Sequence, residues 1–305
     1  MSFASRALFE ELGATPGFDF GLKKRGLLML CKTARAFHEE ERMAVKARAL
    51  GIPAEALDAK AVAALEPGIR MDIAGAVLFP QDCHLAPHRF MADLQRAVTS
   101  AGGEIAFHSE VTGWRFDSRN IAAAVTGRGE TDGDEFVLCG GAWSAVVARQ
   151  LRLAVPMQAG KGYALTVPQP RQLPRHCAIL AEARVAVTPI ASALRFGGTM
   201  EIAGLNQKID PRRVRGITQA VPAYFPEFSA ADFAGLSPWS GLRPCSPDGL
   251  PYLGRTRAYE NLSLATGHAM MGLSLGPITG QIMAGILSDE KPASDIALLD
   301  PDRYA

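Results

Sequence analysis

The sequence predicts a mixed α/β (α+β) chain built in two interleaved parts. Three observations carry this. DEFVLCGGAWSAVVARQL (134–151) and NLSLATGHAMMGLSLGPITGQIMAGIL (261–287) each run from an apolar strand through a glycine turn into a helix. That texture suits a parallel sheet with a ligand at the carboxyl ends of its strands. Between them, 151–205 reads as dense strands broken by turns, as in an antiparallel sheet. With 305 residues, 48% of them apolar, the chain can bury a large core.

Each element has a local reason. MSFASRALFEELGATPG lacks a basic-then-apolar leader and reads as an amphipathic helix. Thr33 caps a helix, TARAFHEEERMAVKARAL, that stops at Gly51 and Pro53; Asp58 caps a shorter one, DAKAVAALEP. GAVLFP is a strand, and Pro87 opens a helix running to Gly102 and Gly103. EIAFHS, VTGWRFD, NIAAAVTG and DEFVLCGG follow as short strands, then GAWSAVVARQL as a helix. PMQAGKGYALTV, HCAILAEARVAVTPI and ALRFGGTMEIAG form the strand-rich stretch, and DPRRVRGITQAVPAYFP restores a helix. The last helix carries Gly272, Gly276 and Gly280 at four-residue spacing, a bare backbone stripe that another helix or a flat ligand can approach. The expected division puts 80–150 and 238–305 in one part, and 17–79 and 151–237 in the other.

Composition excludes several classes. Lys plus Arg (32) balance Asp plus Glu (31), which argues against a nucleic-acid partner. Five scattered cysteines without a CxxC pair read as reduced thiols of a cytoplasmic protein. No apolar run of 18 residues is evident, so no membrane span is expected. In DCHLAPH, Pro87 separates His84 from His88, so the two do not share a helical face and no metal site is expected. Cys139, Cys245, Trp114 and Trp239 read as packing residues, His38 as solvated, and His108 and His176 as strand-edge residues.

GLRPCSPDGLPYLG (241–254) sets one cation, Arg243, among three prolines and three glycines. A guanidinium grips two carboxylate oxygens only at the right angle, so a stiff frame suits an arginine that binds a carboxylate ligand. The plain alternative is a strand connection with Arg243 in a surface salt bridge. The turn GHAMMG opens a helix whose first amides are unpaired and favour negative charge on a ligand.

Together these stretches resemble the D-amino acid dehydrogenase and glycine oxidase family of flavoproteins. G-L-R-P, a polar-Asp-Gly-x-Pro segment and a G-H turn into a glycine-rich helix appear in order. DFGLKKRGLLML, FPQDCHLAPHRFMADL, LCGGAWS, GKGYALT and RFGGTMEIAG look like further family segments, so the resemblance covers nearly the whole chain. It implies the FAD-dependent oxidoreductase fold: a partial Rossmann-like FAD-binding domain (80–150 and 238–305) and an antiparallel-sheet substrate domain (17–79 and 151–237). It implies that Arg243 binds a substrate carboxylate, that Tyr163 faces the substrate, and that Met270 stands where some relatives place a second carboxylate-binding arginine. For FAD it implies Val111 at the adenine and Gly140, Gly141 and Trp143 beside the pyrophosphate. Gly267, His268, Ala269, Met270, Met271, Gly272, Leu273 and Ser274 would wrap the isoalloxazine. The implied reaction oxidises an amino-acid amine to an imino acid, with no protein base required.

Family members begin with a strand, G-x-G-x-x-G and a helix that hold the FAD pyrophosphate. This sequence has none; GRG (127–129) and GKG (160–162) lack the third glycine. A truncated gene, a separately encoded half or a misassigned start would each explain this. Weaker FAD retention and an open sheet edge are expected, covered by a second copy or by a partner chain that supplies the unit. The electron acceptor is either oxygen or a quinone-linked chain, and the location either cytoplasm or the periphery of the inner membrane. The competing reading is a non-catalytic remnant that binds a carboxylate or a partner chain without retaining FAD.

Overall fold

The computed structural model describes residues 1–292 and 294–305. The elements in order are α1 (Ser2–Ala14), β1 (Leu27–Cys31), α2 (Ala34–Ala49), β2 (Glu55–Asp58), α3 (Ala59–Leu65), β3 (Gly75–Phe79) and α4 (Pro87–Ser100). Then come β4 (Val111–Asp117), β5 (Asn120–Thr126), β6 (Gly129–Asp132), β7 (Phe136–Leu138) and α5 (Ser144–Gln150). After these follow β8 (Gln158–Val167), β9 (Cys177–Leu180), β10 (Val185–Ile190), β11 (Ala193–Ile202) and α6 (Pro211–Tyr224). The chain ends with β12 (Trp239–Cys245), β13 (Tyr252–Arg255), β14 (Leu262–Thr266) and α7 (Gly272–Leu287).

Eight strands form one sheet in the order β12-β8-β11-β10-β9-β1-β3-β2, antiparallel except where β1 meets β9. One face carries the main core: Leu165, Val187, Leu194 and Phe196 pack with Ile217 and Val221 of α6 and with Phe225 and Phe228 beyond it. Three T-shaped or edge contacts among Phe196, Phe225, Phe228 and Phe233 lock this layer. A smaller sheet, β13-β14-β7, pairs β14 with β7 in parallel. The strands β4-β5-β6 make a third, antiparallel sheet. Thr33, Asp58 and Pro87 start their helices as expected, the first two by side-chain bonds to Ala36 N and Ala61 N.

Four expectations change. EIAFHS is not a strand, because the chain turns there and His108 takes a left-handed φ of 55°. β6 is an additional strand, closing a hairpin on β5. The stretch WSGLRPC is itself a strand, β12, on the edge of the large sheet beside β8, so the expected boundary at 238 leaves that strand outside the part its sheet belongs to. Finally, Ala269–Leu287 is continuous, and by length and composition it could cross a membrane. Its glycines make the run look interrupted in sequence, yet the helix carries Gly272, Gly276 and Gly280 on its exposed side. The other side packs Leu275, Ile278 and Ile282 against Leu253 and Leu8.

The β9–β10 turn is fastened to two helices by Glu182. Its carboxylate accepts from Thr33 N (2.9 Å), Thr33 Oγ1 (3.0 Å), Lys32 N (3.1 Å) and the Tyr224 hydroxyl. Burial pushes this carboxyl's pKa up, but the Tyr224 hydroxyl and the amides outweigh it and bring the pKa from 4.5 to about 2. A depressed carboxyl stabilises the fold above its unfolded pKa, so this contribution is complete above about pH 4.5 and is lost as pH falls towards 2. Glu182→Gln is expected to flatten that acid limb. Urea midpoints measured across this pH window check it, and parallel curves for the two proteins would refute it.

Candidate active site

The site is built on strand alternation. Along β8, Lys161, Tyr163, Leu165 and Val167 are buried, the last three within the main core. Gly160, Gly162, Ala164 and Thr166 therefore face the other side. Register aligns three strands on that side: Arg243, Gly241 and Trp239 of β12 lie beside Gly160, Gly162 and Ala164, and Arg195 and Gly197 of β11 lie beside Thr166 and Ala164. The outcome is a floor of small residues beneath two guanidinium groups.

Arg243 lies flat on that floor. A Cβ on Gly162 would overlap its guanidinium, and only two long contacts hold it, from Nη1 to Thr199 O (3.4 Å) and Gly160 O (3.5 Å). Arg195 sits over Gly197, with its guanidinium 5.5 Å from the Trp239 ring centre. Among the described residues, no carboxylate pairs with either arginine. Burial lowers the pKa of both, and Arg243 lowers that of Arg195 further. Arginine stays protonated regardless, so the site keeps two half-buried, unneutralised cations. Both line a cavity of about 1520 Å³.

The opposite wall comes from the smaller sheet. Parallel β7 and β14 each end in a glycine turn, and Thr266 Oγ1 joins the turns, pairing with Ser144 Oγ (2.9 Å) and donating to Gly141 O (3.2 Å). Gly267 has φ 80°, and a Cβ there would meet the Tyr252 ring at 2.8 Å. His268 is buried against Thr279 (Nε2 to Oγ1, 2.9 Å), and burial lowers its pKa. Beyond it the chain exposes Met270 (68%), Met271 and Leu273. α7 then continues, without a side-chain cap, from the short turn Ala269–Met271, whose Met271 amide donates to His268 O (2.8 Å). Ala269, Met270, Gly272 and Leu273 line the same cavity as Arg243, and Met271, Leu273, Ser274 and Arg195 line an adjoining cavity of about 530 Å³.

The other expected residues fall as follows. Gly140 and Gly141 form the β7 turn, Gly141 with φ 55° and open space where a Cβ would be, and Trp143 is exposed beside them. Val111, on β4, lines neither cavity. Tyr163 is among the residues lining the larger cavity, but the period of two turns its ring into the core, where its hydroxyl donates to Glu201. Trp239 is not a core residue but stands 59% exposed over Gly241. Arg195 was missed, although the alternation of Arg195, Gly197 and Thr199 in ALRFGGT was a signal for it. His84 lines both cavities, and no group of metal-ligating residues occurs among the described residues.

A family model described as FAD dependent oxidoreductase matches residues 1–286. The chain belongs to this family. It is 31% identical to a D-amino acid dehydrogenase of Bradyrhizobium diazoefficiens over 99% of its own length and 72% of the relative's. A D-amino acid dehydrogenase of Granulibacter bethesdensis is 30% identical over the same shares. Among solved structures, glycine oxidase from Geobacillus kaustophilus superposes with a TM-score of 0.88 at 27% identity, covering 99% of this chain and 82% of that one.

The residues present fit the flavin ring of FAD. A flat aromatic ring needs an apolar surface, and Met270, Met271 and Leu273 offer one. The glycine turn at Gly140 and Gly141 leaves room for a close backbone approach.

Gly162→Ala tests the floor. The atoms it would strike are the far end of a long side chain, so Arg243 can swing away and global stability should change by less than about 1 kcal/mol. Loss of the bidentate pose should weaken carboxylate binding by about 2 kcal/mol. Calorimetric titration of a carboxylate alongside urea unfolding separates the two, and undiminished binding would remove Gly162 from the argument.

Proposed function

We propose that this chain, as a flavoenzyme, oxidises the amine of a D-amino acid, with Arg243 as the carboxylate anchor. The observation that carries this reading is Arg243 itself: a half-buried cation with no acidic partner among the described residues, laid flat in the cavity that the 269–274 turn shares. The names of the two D-amino acid dehydrogenases described above support a D-amino acid as substrate. The work divides along the chain: 80–150 and 246–305 hold the cofactor, 17–79 and 151–245 form the substrate side, and β12, at the edge of the large sheet, carries Arg243 to the boundary between them.

When bound, FAD accepts the hydride from Cα. Everything else rests on this chain's own groups. Arg243 fixes the carboxylate with two parallel N–H···O bonds, which sets where Cα points. Residues 269–274 would hold the ring. The amine reacts in its neutral form, with its lone pair available. The proton that leaves the nitrogen passes to water, the imino acid is hydrolysed to a 2-oxo acid and ammonia, and no side-chain base is needed.

Arg243→Lys keeps the charge and loses the fork, so KM should rise and kcat should fall, because a looser carboxylate misdirects Cα–H. Arg243→Ala should lose about 2–5 kcal/mol of transition-state binding. D-amino-acid turnover with an artificial electron acceptor, at matched flavin content, checks both. Equal kcat/KM in all three proteins would make Arg243 a structural residue only.

A further inference from the structure

The geometry points to Arg195 as a second anion-binding residue, and we infer that the substrate is an acidic amino acid whose side-chain carboxylate it takes. This rests on the proposed amine oxidation and names its substrate class. A neutral amino acid offers one carboxylate, and Arg243 accounts for it. Arg195 then remains: half-buried, on the same sheet face, with no hydrogen bond or ion pair to an acid among the described residues. A desolvated cation of this kind is costly unless a ligand neutralises it.

Spacing supports two separate sites on one small molecule. Arg243 folds over Gly162, and Arg195 over Gly197, which pairs with Ala164. Gly162 and Ala164 are two residues apart on one strand, so the two rows lie roughly 7 Å apart. Two carboxylates on one short carbon chain can engage both guanidinium groups across that distance.

The rest of the cavity has the same sign. Lys23, Arg25 and Arg175 also line it, and its one acidic lining residue, Asp19, is paired with Arg89. A zwitterion of zero net charge gains little from this field, whereas an acidic amino acid, with one net negative charge, is drawn in and retained. The alternative role for Arg195 is a structural stack on Trp239, 5.5 Å away. That stack satisfies a guanidinium face but none of its in-plane donors.

The test uses the full chain supplied with FAD. Calorimetric titration compares glutarate with its mono-amide, which has nearly the same shape, carries one carboxylate and cannot be oxidised. Glutarate should bind about 10- to 100-fold more tightly, as one more charge-assisted pair implies. In Arg195→Gln the ratio should fall to near one, and Arg195→Lys should restore part of it. A ratio near one in the unmutated protein, or a ratio that Arg195→Gln leaves intact, overturns the assignment. A second arm compares D-glutamate with D-glutamine as substrates with an artificial acceptor. Equal turnover of both refutes the acidic preference and leaves amine oxidation standing. Turnover of no amino acid refutes the oxidation, and the glutarate ratio then decides the arginine pair by itself.

Discussion

Arg243 can lie flat against β8 only because Gly162 has no side chain, and the rest of the site follows from that contact. A guanidinium is a plane with its donors at the edges, so a surface that supports its face leaves the edges free for a ligand. Any Cβ at Gly162 would lift the plane and turn the donors. Gly197 repeats the arrangement beneath Arg195, where a Cβ would come within 3.3 Å of Nη1. The glycines of GKG and FGG are therefore not flexible joints but the flat parts of a rigid sheet, here set by close approach rather than by unusual φ.

The same strand builds the opposite surface. Lys161, fully buried on the core side, donates to Lys208 O (2.8 Å) and reaches Glu201 (3.3 Å), to which Tyr163 also donates. This network clamps the end of β11 where the register slips between Gly198 and Glu201. The slip puts Thr199 in a left-handed conformation, φ 62°, and Thr199 O is one of the two carbonyls that meet Arg243. A buried ionic cluster on one face thus shapes a bulge that orients the cation on the other. Such clusters contribute little net stability.

Much of this was legible in the sequence, and the failures share a cause. Thr33, Asp58 and Pro87 announced their helices because a cap is a local bond that no distant contact overrules. GLRP and the GHAMMG turn were legible because a stiff frame around one arginine, and a strand entering a helix through glycine, are written in adjacent residues. The direction of the Tyr163 ring was not legible, because the side a strand residue faces depends on which side the sheet buries. That is settled by α6 and the phenylalanines near 225 and 228, some sixty positions away. Arg195 escaped for the same reason: its partnership with Arg243 exists only once β8 lies between β11 and β12. Trp239 looked like a core residue because indole is apolar, but its alternation with Gly241 and Arg243 puts it on the cavity side.

The stiffness around Arg243 also sets the distance between the two walls. Two residues beyond it, Cys245 forms a backbone bridge with His268, the residue that opens the turn of 269–274. The bridge is supported from both sides. His268 is anchored to α7 through Thr279, and the chain after Cys245 is folded by Ser246 Oγ donating to Leu250 O (2.7 Å) and Asp248 Oδ1 accepting from Leu250 N (3.0 Å). Arg303 then pins Asp248, and that pairing holds the carboxyl well below the usual range. Pro244, Pro247 and Pro251 remove freedom from what remains. The separation between β12 at Arg243 and the turn of 269–274 is therefore fixed by backbone geometry. For a reaction whose catalysis is largely positioning, that is the quantity the fold has to hold constant.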